Sequence, residues 1–130
     1  MIQLDTHSLL WLALQPEKLS QQAVSAINAS VNAGEKIAVS VITLWEIAHL
    51  ARRGRIHLHV AIEEFLETVE ASYRVVPLTR AIAIQAAELQ EPFPKDPMDR
   101  LIAATAIVEG NILVTRDSAI HQAKVCKLVW

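Results

Sequence analysis

Cysteine is almost absent. Cys126 is the single one in 130 residues, so an internal disulfide is excluded and a reducing compartment is expected. The lone thiol, close to the end of the chain, reads as a small apolar filler rather than a nucleophile. Positive charge is also scarce: 12 Lys and Arg stand against 14 Asp and Glu, a net charge of −2. No global basic field draws this chain to nucleic acid, and any polyanion must be held by a local basic patch. No apolar run is long enough to span a bilayer. Ser8 to Leu14 resembles a short signal-peptide core, but Asp5 precedes it, no Lys or Arg does, and no small-residue cleavage site follows. Repeats, low-complexity tracts and linkers are missing too. What is present is 52% hydrophobic and 20% charged. That composition predicts one globular domain over residues 1–130 with one core, soluble and located in the cytoplasm.

Short apolar strands alternate with helical patterns. Strands are predicted at Met1–Leu4, Ile37–Val39, Tyr73–Val76 and Ile112–Val114, with a fifth at Lys127–Val129. Helices are predicted from Ser8 to Leu14, Ser20 to Asn32, Thr43 to Arg53, Val60 to Ala71, Thr79 to Gln90, Pro97 to Glu109, and Asp117 to Gln122. Such alternation predicts an α/β fold with a parallel sheet covered on both faces, and a site outside the carboxyl ends of the strands.

The stretch Lys95–Ala106 organises the chain. Asp96 suits an N-cap, Pro97 the first helical position, and Asp99 the first turn. From Leu101 to Val108 the helix is apolar nearly all round, which predicts burial. Its acidic start joins other carboxylates at the same sheet edge: Asp5 after the first strand, Glu46 in the first turn of the helix after the second, and Asp117 after the fourth. Each has a local alternative. Asp5 and Asp117 suit helix caps, and Thr43-x-x-Glu46 suits a capping box. Together they make every strand-to-helix transition at one edge acidic. At a spacing of about 5 Å, two carboxylates repel by about 3 kcal/mol at an effective dielectric of about 20. A cation offsets that cost, and hard oxygen donors favour Mg²⁺ or Mn²⁺ over Zn²⁺.

Four segments then carry a family likeness. Ile2-x-Leu4-Asp5-Thr6-His7, Ser40-x-x-Thr43-Leu44-Trp45-Glu46-Ile47, Asp96-Pro97-Met98-Asp99-Arg100-Leu101-Ile102-Ala103-Ala104 and Leu113-Val114-Thr115-Arg116-Asp117 resemble the PIN-domain nucleases, most closely the VapC-type toxins of bacterial toxin–antitoxin pairs. The resemblance implies a three-layer α/β/α fold with a short-stranded, mainly parallel sheet of four to five strands. It implies an endoribonuclease in which Mg²⁺ or Mn²⁺ activates water against RNA phosphodiesters. Asp5, Glu46, Asp99 and Asp117 are the implied metal-binding catalytic set, with Asp96 auxiliary. A small antitoxin partner and a homodimer are also implied.

Other residues are weighed beside these. Thr115 and Ser40 are candidates to hold metal-associated water, or are ordinary strand-end hydroxyls. Arg52, Arg53, Arg55, Arg100 and Arg116 are candidate RNA contacts, the first three competing with a plain solvated helix end. His57-x-His59 has ligand-like spacing but reads as an exposed pair. His7 reads as a structural hydrogen-bonder or substrate contact, and Trp11 and Trp45 as core. An aspartyl-nucleophile phosphatase wants a second Asp two residues after the first, where this chain has His7. A catalytically weak PIN-like RNA-binding or partner-binding module is the remaining alternative.

Overall fold

Five strands and seven helices follow one another in the computed structural model, which describes residues 1–130. The order is β1 (Ile2–Leu4), α1 (Thr6–Leu14), a 3-10 turn (Pro16–Lys18), α2 (Gln21–Asn32), β2 (Ala38–Ser40), α3 (Val41–Arg52), α4 (Ile62–Ser72), β3 (Arg74–Val76), α5 (Arg80–Glu88), α6 (Pro97–Glu109), β4 (Ile112–Val114), α7 (Ser118–Ala123) and β5 (Leu128–Val129). The strands lie in the order β3-β2-β1-β4-β5, and every pairing is parallel. The fifth strand is present, and a mainly parallel sheet becomes a wholly parallel one. No helix is long and apolar enough to cross a membrane.

Strand alternation sorts side chains to two faces. On one face, Ile2, Leu4, Val39 and Val114 pack with Leu9 and Leu10 of α1, Ile27 of α2, Ile47 of α3 and Val69 of α4. On the other, Leu113 meets Ile102, Ala103 and Ala106 of α6 and Ile120 of α7. There too, Ala38 and Val76 meet Ile82 and Ala86 of α5 and Ala104 of α6. The result is a three-layer α/β/α sandwich. Burial on both faces is why the strands read as apolar runs rather than as alternation.

Helix α6 is as buried as its composition predicts: Ile102 through Ala106 are all buried. Its alanines let α5 and the sheet approach closely. Gln3, fully buried in the central strand, donates through Nε2 to the Ile102 carbonyl at 2.9 Å and ties β1 to this helix. Asp96 caps α6, with Oδ1 accepting from the N–H groups of Met98 (2.8 Å) and Asp99 (3.4 Å).

Two helix starts come earlier than expected because of the cap actually used. Helix α1 begins at Thr6 rather than Ser8, because Asp5 Oδ1 accepts from the Ser8 N–H at 2.8 Å. Helix α3 begins at Val41 rather than Thr43, because Ser40 Oγ accepts from the Ile42 N–H at 3.1 Å. Thr43 is therefore inside the helix and forms no capping box. Glu46 lies in the second turn, not the first. Helix α4 starts at Ile62, two residues later than the periodicity indicates.

Helix α6 ends on Gly110 in the left-handed region, φ 68°. A Cβ there would meet nothing within 4 Å, so backbone conformation alone sets the cost of a side chain. Gly110→Ala is expected to destabilise the protein by about 1 kcal/mol, or roughly 4 °C in Tm, and Gly110→Asn by less. Thermal melts followed by circular dichroism check this. An Ala variant that melts with the parent would show that the left-handed turn is not required.

Candidate active site

The sheet order makes β1 and β4 the switch point. From β1 the chain builds outward through β2 to β3, then returns to lay β4 and β5 on the other side. Open parallel sheets have their binding crevice at the carboxyl ends of such strands. A cleft of about 520 Å³ lies there, lined by Asp5, Thr6, His7, Trp11, Glu46, Asp96, Asp99, Ile102, Arg116, Asp117 and Ser118. All five expected carboxylates thus reach one cleft from four segments of the chain.

Helix capping positions three of them. The ends of β1 and β4 are joined by Asp5 N–H to the Val114 carbonyl (3.2 Å) and by Ser8 Oγ to the same carbonyl (3.0 Å). Asp5 then caps α1. Asp117 caps α7, its Oδ1 accepting from the N–H groups of Ala119 (2.9 Å) and Ile120 (3.4 Å), and Asp96 caps α6. In each case one carboxylate oxygen takes the cap and the other has no hydrogen bond within the protein. Capping and cleft lining are therefore not alternatives: the same side chains do both.

Glu46 is held differently. Its Oε1 accepts from Thr6 Oγ1 at 2.5 Å, and Thr6 Oγ1 lies 3.1 Å from Thr43 Oγ1. A hydroxyl has one proton to give, so Thr43 donates to Thr6 and Thr6 to Glu46. This relay replaces the capping box that the Thr43–Glu46 spacing predicts. Thr6 is the residue that sequence reasoning missed, and its only signal was its place beside Asp5.

Burial, reinforced by neighbouring charge, raises the proton affinity of two of these carboxylates. Burial, then the neighbouring charges of Asp96, Asp117, Glu46 and Asp5, lift Asp99 to a pKa of about 7. Glu46 is raised by burial; the Thr6 hydrogen bond and His7 oppose this, and Asp96 and Asp5 reinforce it. The donor set, oxygen-rich with a single histidine, fits a hard divalent cation in its chemistry. In the present side-chain conformations no three of these groups converge closely enough to enclose an ion, so holding one directly would require the side chains to turn.

The remaining candidates separate. Ser40 and Thr115 are buried and line no part of the cleft. Ser40 caps α3, and Thr115 Oγ1 accepts from the Asp117 N–H at 3.1 Å. Arg116 does line the cleft, with its guanidinium 5.8 Å from the Trp11 ring centre. Arg100 instead donates to the Leu89 (2.6 Å) and Ala86 (3.3 Å) carbonyls and sits over the Phe93 ring. It buttresses the end of α5 and does not line the cleft. Arg52 and Arg53 lie exposed at the end of α3, as a solvated helix end would. His57 and His59 are exposed and form an edge-on ring pair at 5.2 Å. The Cys126 thiol is half-buried and its pKa is pushed up by that burial, which suits a filler. His7 is exposed on the cleft wall and packs against Trp11, which is half-buried, packs against the core and also lines the cleft. Trp45 is 54% exposed, contrary to a core reading, and stacks on His49.

The Asp99 carboxylate makes no hydrogen bond and caps nothing, so its charge can be tested alone. It binds its proton more tightly when folded than when unfolded, about 7 against an ordinary 3.8. Ionising it therefore destabilises the fold. The penalty is absent below about pH 4, builds as pH rises towards about 7, and is complete above that. Because the group is only half-buried, screening reduces the effect to about 1–2 kcal/mol. Asp99→Asn is expected to stabilise the metal-free protein by that amount at pH 8 and by nothing near pH 4. Denaturant unfolding in EDTA at both pH values tests this. Equal stability of variant and parent at pH 8 would show that ionised Asp99 carries no such penalty.

The PIN domain family profile matches residues 2–127. Ribonuclease VapC22 of Mycobacterium tuberculosis is 39% identical over 114 residues, covering 88% of this chain and 85% of the relative. A VapC ribonuclease of Pyrococcus furiosus is 30% identical over 106 residues, covering 78% and 68%. Among solved structures, VapBC2 from Rickettsia felis bound to a promoter DNA fragment superposes with a TM-score of 0.71 at 19% identity, covering 98% of this chain and 97% of that one. FitAcB from Neisseria gonorrhoeae gives 0.69 at 22% identity, covering 98% and 96%. These two show a common fold. The family profile spans nearly the whole chain and the bacterial relative most of it, so the chain belongs to the PIN domain family, in its VapC branch.

Proposed function

We propose that this protein is an Mg²⁺- or Mn²⁺-dependent endoribonuclease and the toxin of a toxin–antitoxin pair. The observation that carries the reading is one cleft lined by five carboxylates, one of them raised to a pKa of about 7 by burial and then by the charge of the others. Asp5, Glu46, Asp99 and Asp117 would hold the cation. When bound, it offsets the charge of the scissile phosphate and makes water more acidic. Thr6 fixes Glu46 through Oε1, which leaves Oε2 to accept a proton. Asp96 keeps the α6 N-terminus in place and adds negative charge behind Asp99. Arg116, at the cleft rim, has a guanidinium suited to a phosphate oxygen. Water attack needs no 2′-hydroxyl, so the choice of RNA over DNA is supported by the relatives named as ribonucleases.

The partner is read from surface and likeness together. One structural neighbour is a toxin–antitoxin complex from Klebsiella pneumoniae. On this chain, Leu44, Leu50, Phe65 and Leu66 of α3 and α4 are only half-buried, and Trp45 stands exposed beside them. An amphipathic segment of a small antitoxin would cover that row. A homodimer and a cytoplasmic location complete the reading.

Asp99→Asn is expected to lower cleavage of single-stranded RNA in MgCl₂ by about 100-fold or more, the scale of a lost acid–base or charge-stabilising group. EDTA should abolish cleavage by the parent. Full metal-dependent cleavage by the pure variant would remove Asp99 from the machinery. RNA binding without cleavage by the parent would favour a catalytically weak binding module.

Cation binding has its own readout. Millimolar MgCl₂ should raise the Tm of the parent, because the ion binds only the folded cluster, and should move Asp99→Asn much less. Identical parent melts in MgCl₂ and EDTA would sink the shared-metal reading.

A further inference from the structure

A second cleft, about 440 Å³, adjoins the acidic one, and His7 and Trp11 line both. Across that shared wall the charge reverses. The second cleft has Lys18, Arg55, His57 and His59 on its walls and no carboxylate. These four come from the 3-10 turn after α1 and from the loop after α3. None of their side chains is engaged elsewhere in the protein by a hydrogen bond. Both ion pairs in the structure lie elsewhere, at Met1–Glu35 and Arg74–Glu109. Of the three arginines around Gly54, only Arg55 lines this cleft.

Two features select the occupant. Two uncommitted cations suit a polyanion, and they form the local basic patch that a chain of net charge −2 must have to hold one. Aromatic faces accompany the cations: Trp11 at the dividing wall, with Arg116 beside its ring, and the His57–His59 pair. Cations alternating with aromatic rings are how proteins bind unpaired nucleotides, with phosphates on the cations and bases on the rings. An acidic polypeptide would use the cations but not the rings. We propose that this second cleft seats the single-stranded RNA segment next to the scissile phosphate, with Lys18 and Arg55 on its phosphates and Trp11, His57 and His59 offering faces to its bases. The proposal rests on the ribonuclease reading for the position of that phosphate.

Binding of a 5′-fluorescein 12-mer RNA of mixed sequence, followed by anisotropy in EDTA across a salt series, tests the seat without any cleavage. Lys18 and Arg55 are exposed, and replacing them leaves no partner unpaired. The double variant K18Q/R55Q is expected to weaken binding at least about 10-fold and to flatten the log–log salt slope by about 1.4, two phosphates' worth for a single strand. H57A/H59A should weaken binding about 5-fold or more, as loss of a stacking face does, with the slope unchanged. R52Q/R53Q should change affinity less than about 2-fold, since these residues lie outside the cleft. Unchanged binding by K18Q/R55Q, or an equal loss with R52Q/R53Q, would overturn the proposal. Displacement of the RNA by poly-glutamate as readily as by unlabelled RNA would also overturn it. A parent that binds as expected but never cleaves RNA in MgCl₂ would sink the ribonuclease reading alone. Normal cleavage with binding indifferent to Lys18 and Arg55 would sink the cleft assignment alone.

Discussion

The structure depends on how helices start at one edge of a parallel sheet. A helix opens with backbone N–H groups that have no intrahelical acceptor, and at this edge three of the caps are aspartates. Asp5, Asp96 and Asp117 each satisfy such groups with one oxygen. The geometry of the caps sets where the carboxylates sit, and the sheet order sets which caps share a cleft. Negative charge accumulates at the switch point because the helices must be capped there.

Asp99 and Glu46 show what that crowding does. Neither caps a helix. Each is desolvated by its surroundings and holds its proton more tightly than usual. Their placement relies on burial behind them: α6 can bring Asp99 in only because its alanines let it sit low on the sheet, and Glu46 is fixed by a hydroxyl from the start of α1. The core and the acidic cleft are thus linked through the same two helices.

Much of this is legible in the residues. The parallel sheet follows from short apolar strands alternating with helices, and α6 is marked at both ends by Asp96-Pro97 and Gly110. The acids after β1 and β4 fall where strand ends must. What stays hidden depends on contacts between distant segments. The Thr43–Glu46 spacing fits a capping box as well as it fits the relay through Thr6, and only the fold brings Thr6 to them. Arg100 follows Asp99 in the chain, yet its fork reaches the end of α5, a destination the local sequence does not encode. Trp45 sits among apolar neighbours, but it falls off the stripe set by Ile47 and Leu44 and so faces outward.

The sheet is also narrow where it meets the outside. Its border strands, β3 and β5, have three and two residues. A border strand presents unpaired N–H and C=O groups that can template another chain. Here those rows are only a few groups long. On β3, Arg74 pairs with Glu109 at 2.9 Å, which places a charge at the rim. A sheet built from such short strands offers little length for a stray strand to pair with. The brevity that keeps the strand ends close to the cleft therefore also guards the protein against edge-to-edge aggregation.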